Sequence, residues 1–148
     1  MHGLMLAAAL LGTATLPQET LVQGHYSGFE TGLTDPREFV IESSDEWKNV
    51  WSELTSDTAP AAEAPEVDFT LTMVLGLATH ANTGGYSLTI HQVEEMADEL
   101  VARATLVRPG SGCIVTMALT QPHHFVAVPR RDKAVRFDVT RKLRDCRD

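Results

Sequence analysis

The sequence predicts an α+β domain, mainly antiparallel β-structure in a sandwich-like arrangement, with one amphipathic helix near residues 44–55. Three observations predict it. Short runs rich in β-formers recur along the chain, separated by Gly, Pro and Asn turn signals. Only one stretch has convincing helical periodicity. The 148 residues are 43% apolar and 22% charged, enough to bury one core and of a length that suits one domain.

Taken in order, residues 19–29 (ETLVQGHYSGF) are strand-like and are broken by Gly24 and Gly28. Residues 37–42 (REFVIE) alternate polar and apolar, as a half-buried strand does. The helix follows. Ser43 and Glu46 have capping-box spacing, and Asp45 and Glu46 suit the positive helix start. Trp47, Val50, Trp51 and Leu54 then recur at three- and four-residue intervals and form one apolar face. Both tryptophans are expected to attach that helix to a sheet. Residues 55–65 (TSDTAPAAEAP) read as an exposed loop. Residues 68–79 (DFTLTMVLGLAT) become continuously apolar, which is expected of a central strand, with Asp68 bonding the backbone at the strand entrance. Asn82-Thr83-Gly84-Gly85 is a turn signal, and residues 86–93 are expected as the return strand. Residues 100–107 and 113–120 are read as a further strand pair across Arg108-Pro109-Gly110-Ser111-Gly112. After Gln121-Pro122, two short strands are expected around Phe125–Ala127 and Val135–Val139.

The formal net charge is −8, which argues against nucleic acid as partner, because phosphate binding needs a basic footprint. The charge is uneven. Residues 1–129 hold 4 basic and 16 acidic side chains, whereas residues 130–148 hold 8 and 4. Such a tail either meets an acidic partner or pairs with the chain's own acidic surface.

Residues 1–17 read as a signal peptide and residues 18–148 as a single domain. Leu4-Met5-Leu6-Ala7-Ala8-Ala9-Leu10-Leu11 resembles an h-region, followed by small residues that suit cleavage after Ala14. It is too short to span a bilayer, and no integral membrane segment is expected in the mature chain. Location is therefore expected to be secreted, periplasmic or at the cell surface. Cys113 and Cys146 fit one disulfide in that setting, two free thiols being the alternative.

Chemistry finds little support. His25, His80, His91, His123 and His124 form no metal-ligand spacing, and the adjacent His123 and His124 would face opposite sides of a strand. Cys113 opens an expected strand, so a structural role is preferred to a nucleophilic one. No phosphate-cradling loop is present, because Thr83-Gly84-Gly85-Tyr86 lacks a following Lys and helix. No catalytic residue, metal ligand or cofactor is expected, and the chain is not expected to be an enzyme.

The segments Val67-Asp68-Phe69, Met73-Val74-Leu75-Gly76 and Thr83-Gly84-Gly85-Tyr86-Ser87-Leu88-Thr89-Ile90 resemble the PrcB-type C-terminal domain. Similar to it too are Glu46-Trp47 with Trp51, Ser27-Gly28, and Thr120 with Pro122 leading into Phe125-Val126-Ala127-Val128-Pro129. His123 departs from the aromatic residue expected after Pro122. The family is named for a subunit of a bacterial surface protease complex and has no established catalytic residues. The resemblance therefore implies an exported, non-catalytic protein-binding module, an accessory or assembly subunit whose partner is a protein such as a protease. Thr83, Gly84, Gly85 and Tyr86 are the binding residues this reading selects: two glycines would let the turn project its neighbours, and Tyr86 is a natural interface anchor. Tyr86 packing at the base of a tight turn is the structural alternative. The same turn loosely resembles the Thr-Thr-Gly-Tyr loop of chagasin-like inhibitors, so an inhibitor acting through residues 82–86 (Asn82 to Tyr86) is the other functional reading.

Overall fold

A computed structural model describes residues 13–29, 35–57 and 62–147. Among the described residues eight strands and one helix run in the order β1 (Ala14–Leu16), β2 (Glu19–Gly24), β3 (Arg37–Ile41), α1 (Ser44–Leu54), β4 (Thr72–Ala78), β5 (Ser87–Glu95), β6 (Glu99–Pro109), β7 (His123–Pro129) and β8 (Ala134–Arg144). They form two four-stranded sheets, β1-β5-β6-β8 and β2-β7-β4-β3, with α1 packed against the outer side of the second. The expected α+β sandwich is thus present, with its helix at the expected place.

Strand β4 explains the layering. Its residues 73–78 are all buried, because the strand is covered on both sides. Met73, Leu75 and Leu77 point between the sheets, where they meet Leu88, Ile90, Leu100, Ala102, Val126 and Val128. Val74 and Ala78 point the other way, toward Trp47, Leu54, Phe39 and Phe125 beneath the helix. A strand buried on two faces loses the polar alternation, which is why the sequence reads as an unbroken apolar run. Across the ladder Gly76 stands opposite Phe125. The Phe125 ring lies 2.2 Å from where a Gly76 Cβ would be, so glycine is what admits the ring. Phe125 in turn contacts the rings of Phe29, Phe39 and Trp47, at centroid distances of 6.0, 5.0 and 5.9 Å.

The helix begins as its sequence says. Ser43 Oγ accepts from the Glu46 N–H at 3.2 Å and donates to the Glu46 carboxylate at 3.2 Å. Trp47 is buried, and its Nε1 donates to the Pro65 carbonyl at 3.0 Å; Trp51, half-buried, donates to the Ala62 carbonyl at 2.8 Å. The tryptophans therefore hold residues 62–65 against the helix as well as holding the helix to the sheet. At the entrance to β4 Asp68 Oδ1 accepts from the Thr70 N–H and hydroxyl, which keeps its carboxyl below the usual range.

Two expectations about strands are corrected. Residues 113–120 are not a strand: they belong to an irregular segment between β6 and β7. Pro109, Gly110 and Gly112 end the ladder before it, and Pro122 restarts the chain after it. Nor is β5 the hairpin partner of β4. The turn chemistry at residues 82–85 carries the chain from one sheet to the other, and β5 pairs instead with β6 and β1. One pair departs from the antiparallel rule, since β8 runs parallel to β6 after β7 has visited the other sheet. The apolar segment 4–11 read as a signal lies outside the described residues. Ala14–Leu16 pair with β5, and Leu16 is buried in the core, so cleavage after Ala14 leaves Thr15 and Leu16 in the fold.

Candidate functional site

The two irregular segments of interest meet at one end of the sandwich. The Thr79 N–H donates to the Pro122 carbonyl, Ala81 and Thr120 exchange both backbone bonds at 2.8 and 2.9 Å, and the Gly84 N–H donates to the Thr116 carbonyl at 2.9 Å. The Thr120 hydroxyl donates to the Thr83 carbonyl at 2.9 Å. The crossover at residues 79–86 is thereby fastened along residues 113–122.

This fastening decides what the glycines are for. Gly85 has φ +89°, a left-handed conformation that glycine adopts without strain. A Cβ at Gly84 would lie 2.3 Å from the Thr116 hydroxyl, and one at Gly85 would lie 2.8 Å from Val115. Both admit the neighbouring loop. Thr83, Gly84, Gly85 and Tyr86 are all half-buried, and Tyr86 packs on the inter-sheet core; Asn82 alone of the turn is exposed. The turn is a support, and what projects is the segment it supports.

That segment carries an apolar surface. Ile114 is 101% exposed, Met117 85% and Leu119 60%. Its start is fixed covalently, because Cys113 is bonded to Cys146, their Cα atoms 4.9 Å apart. The Gly110 N–H donates to the Arg144 carbonyl at 2.8 Å beside that link. The expected pairing of Cys113 with Cys146 is present, and it ties the β6–β7 segment to the end of β8. Reading residues 113–120 as a strand hid this surface, since a strand would have turned Ile114, Met117 and Leu119 toward a core. The signal that marks it is the breaker density on both flanks.

The basic tail is largely self-paired. Arg131 and Lys133 both reach Glu95 at 2.9 Å and hold its carboxyl below the usual range; Lys133 contributes most, then Arg131. Arg136 meets Glu99 at 3.2 Å, Arg130 meets Glu42 at 3.6 Å, and Arg141 meets Asp35 at 3.3 Å. Arg108, Lys142 and Arg144 are exposed and have no ion pair among the described residues. In the β6–β8 register Lys142 and Arg144, opposite Val107 and Pro109, share one face, whereas Arg108, opposite Leu143, lies on the other.

The histidines are not gathered. His123 and His124 face opposite sides of β7, as adjacent strand residues must. His124 points between the sheets, where its Nδ1 accepts from the Ile90 N–H at 2.8 Å, so Nε2 carries the proton toward the Thr20 hydroxyl at 2.9 Å. Burial lowers its pKa to about 4, with His123 adding repulsion. His123 is buried too, its pKa lowered chiefly by burial, with Nδ1 bonded to the Gln121 carbonyl at 2.8 Å. His91 is exposed at the β5 bulge, and His80 lies in the crossover. Among the described residues no three His, Cys, Asp or Glu side chains converge as metal ligands.

Curated proteins and solved structures give no match to the chain. The family model described as PrcB C-terminal matches residues 78–129, which run from the last residue of β4 to the last of β7. That stretch includes the 82–86 turn, the exposed 113–119 segment, Cys113 and Phe125, while the helix and Val67–Phe69 lie outside it. Over these 52 of the 148 residues the resemblance read from the sequence is borne out: residues 78–129 are similar to the PrcB C-terminal family.

Proposed function

We propose that the chain is a non-catalytic, exported protein-binding module that serves a protease complex as an accessory or assembly subunit. The observation that carries this reading is the projecting 113–119 segment. Ile114, Met117 and Leu119 stand in solvent on a backbone held by a disulfide and by the 79–86 crossover. A pre-ordered apolar projection loses little conformational entropy on meeting a partner, which favours it as a binding element. The family name supports the protease association. The disulfide fits an oxidising compartment, and among the described residues no helix is long and apolar enough to cross a membrane.

An inhibitor that inserts the turn at residues 82–86 fits the geometry less well. Tyr86 is packed on the core, and Thr83 to Gly85 are occupied in supporting the neighbouring loop.

The test is co-purification of the chain with its partner from the exported fraction, with protease activity followed in the bound material. An active protease held by the parent chain and released by I114D/M117D supports the reading. Retention by that variant, or a protease silenced on binding, contradicts it.

A further inference from the structure

We propose that the groove at the end of β6 and β8 is a binding site for an amphipathic monoanion, a medium-chain fatty carboxylate. Its chain would lie on Tyr86, Leu106 and Leu143, with its head toward Arg108 and Lys142. The inference is independent of the partner that the 113–119 segment meets.

The strand register builds the site. Leu106 is opposite Arg141 and Arg108 is opposite Leu143. Paired residues share a face, so all four stand on the side of the sheet that Leu106 turns to the core. Leu106 is buried there, whereas Arg108 and Leu143, the next pair of that row, are exposed. The row thus outruns the cover of the second sheet. What it leaves is a groove of about 380 Å³, lined by Tyr86, Leu106, Arg108, Arg141, Lys142 and Leu143. Lys142 is outward by register and borders the groove from the edge strand.

The lining selects a ligand by what it offers and by what it lacks. Backbone groups lie in the plane of a sheet, so a groove on its face is furnished by side chains. Here these are three apolar bodies, Tyr86 adding a hydroxyl, and three cations; no carboxylate or amide is among them. A sugar or a nucleobase would leave several of its donors unpaired, and a metal ion or an amine would be repelled. A ligand whose polarity is confined to one anionic head leaves nothing unpaired.

Arg141 is engaged by Asp35 at 3.3 Å, so the head is assigned to the other two cations. Arg108 and Lys142 are exposed and have no ion pair among the described residues, and their stems extend the apolar floor. The chain has net charge −8, so an extended anionic bilayer would meet net repulsion where one small anion meets the cations of the groove. At about 30 Å³ for each water-sized group, the groove holds about a dozen non-hydrogen atoms, which is the size of decanoate.

The experiment is equilibrium dialysis of the full chain against radiolabelled decanoate below its micellar concentration. Acetate supplies the head without the chain, decanol the chain without the charge, and decyltrimethylammonium the opposite charge. A short peptide ending in a leucine carboxylate and vesicles of phosphatidylcholine with phosphatidylglycerol complete the set. Saturable binding of a single decanoate is expected, weakening with salt, and every other probe should bind at least about tenfold more weakly. R108Q/K142Q should keep the parental thermal midpoint and lose about tenfold or more in affinity. L143D, which sets a carboxylate against the groove, should lose as much. Absence of saturable binding to the parent, equal binding of decanol or decyltrimethylammonium, unchanged affinity in either variant, or tighter binding of the peptide or the vesicles would overturn the proposal. I114D/M117D changes no residue of the groove, so this proposal and the module reading fail separately.

Discussion

Phe125 and His124 are neighbours on β7 that serve opposite faces, and each concentrates a different kind of free energy. Phe125 is wholly buried over Gly76 within a cluster of four aromatic rings. Phe125→Ala is expected to cost about 3–5 kcal/mol through lost contacts and a cavity. Gly76→Val is expected to cost about 1–3 kcal/mol by forcing the ring aside. Urea unfolding of both variants checks these values. His124 acts through its proton. Burial disfavours the charged imidazolium and His123 adds repulsion, so the folded chain resists protonation and the group's pKa falls from 6.5 to about 4. Between those values the unfolded chain binds the extra proton, so stability is whole above pH 6.5 and declines as pH falls toward 4. The loss from this group is on the order of 2 kcal/mol after allowance for water screening. His124→Gln should therefore be less stable than the parent at pH 7, with the gap narrowing by pH 4.5. A gap independent of pH would show that the imidazole proton is not what matters.

The elements differ in how plainly the sequence announces them. Helix α1 was legible down to its capping box, because Ser43, Glu46 and the Trp47–Trp51 face are local signals that tertiary structure had no reason to override. Strand β4 was legible as central, because burial on both faces leaves an apolar run. The crossover at residues 79–86 was not. Asn82, Thr83, Gly84 and Gly85 show that the chain turns, but nothing local says to which sheet it returns. Residues 113–120 were misread for a related reason: Ile114, Val115, Met117 and Leu119 have strand-like composition, while their exposure is set by the distant links to Thr120's partners and to Cys146. Those links suggest a direct experiment. The Cys113–Cys146 disulfide closes a span of 33 residues, and removing it should cost roughly 3–4 kcal/mol on the chain-entropy account. In C113S/C146S the loss should appear in thermal unfolding. Amide exchange should quicken at Gly84, which donates to Thr116, more than in β4.

Across the whole molecule, side-chain hydrogen bonds join two sheets that share no ladder. Strand β1 covers β5 only over residues 93–95, and the uncovered part of β5 finds partners from the β2 side. Gln18 donates to the Ile90 carbonyl and Gln23 to the Leu88 carbonyl, while His124 accepts from Ile90. The opposite seam ends at β8, whose parallel pairing with β6 carries its basic end beside the projecting loop. Sequence alone showed that residues 130–148 are basic; only the fold separates the cations that pair internally from Arg108, Lys142 and Arg144. The end of the sandwich near Cys113 thus combines exposed apolar residues with cations that have no ion pair among the described residues, on a framework held by the disulfide. Replacing Ile114 and Met117 by Asp should leave the thermal midpoint within a degree or two, since neither side chain is buried. The measurement that tests the central claim most directly is capture of the partner from the exported fraction by the parent chain and by I114D/M117D in parallel, with protease activity assayed on each. The account requires an active protease on the parent and none on the variant; equal recovery by both would contradict it.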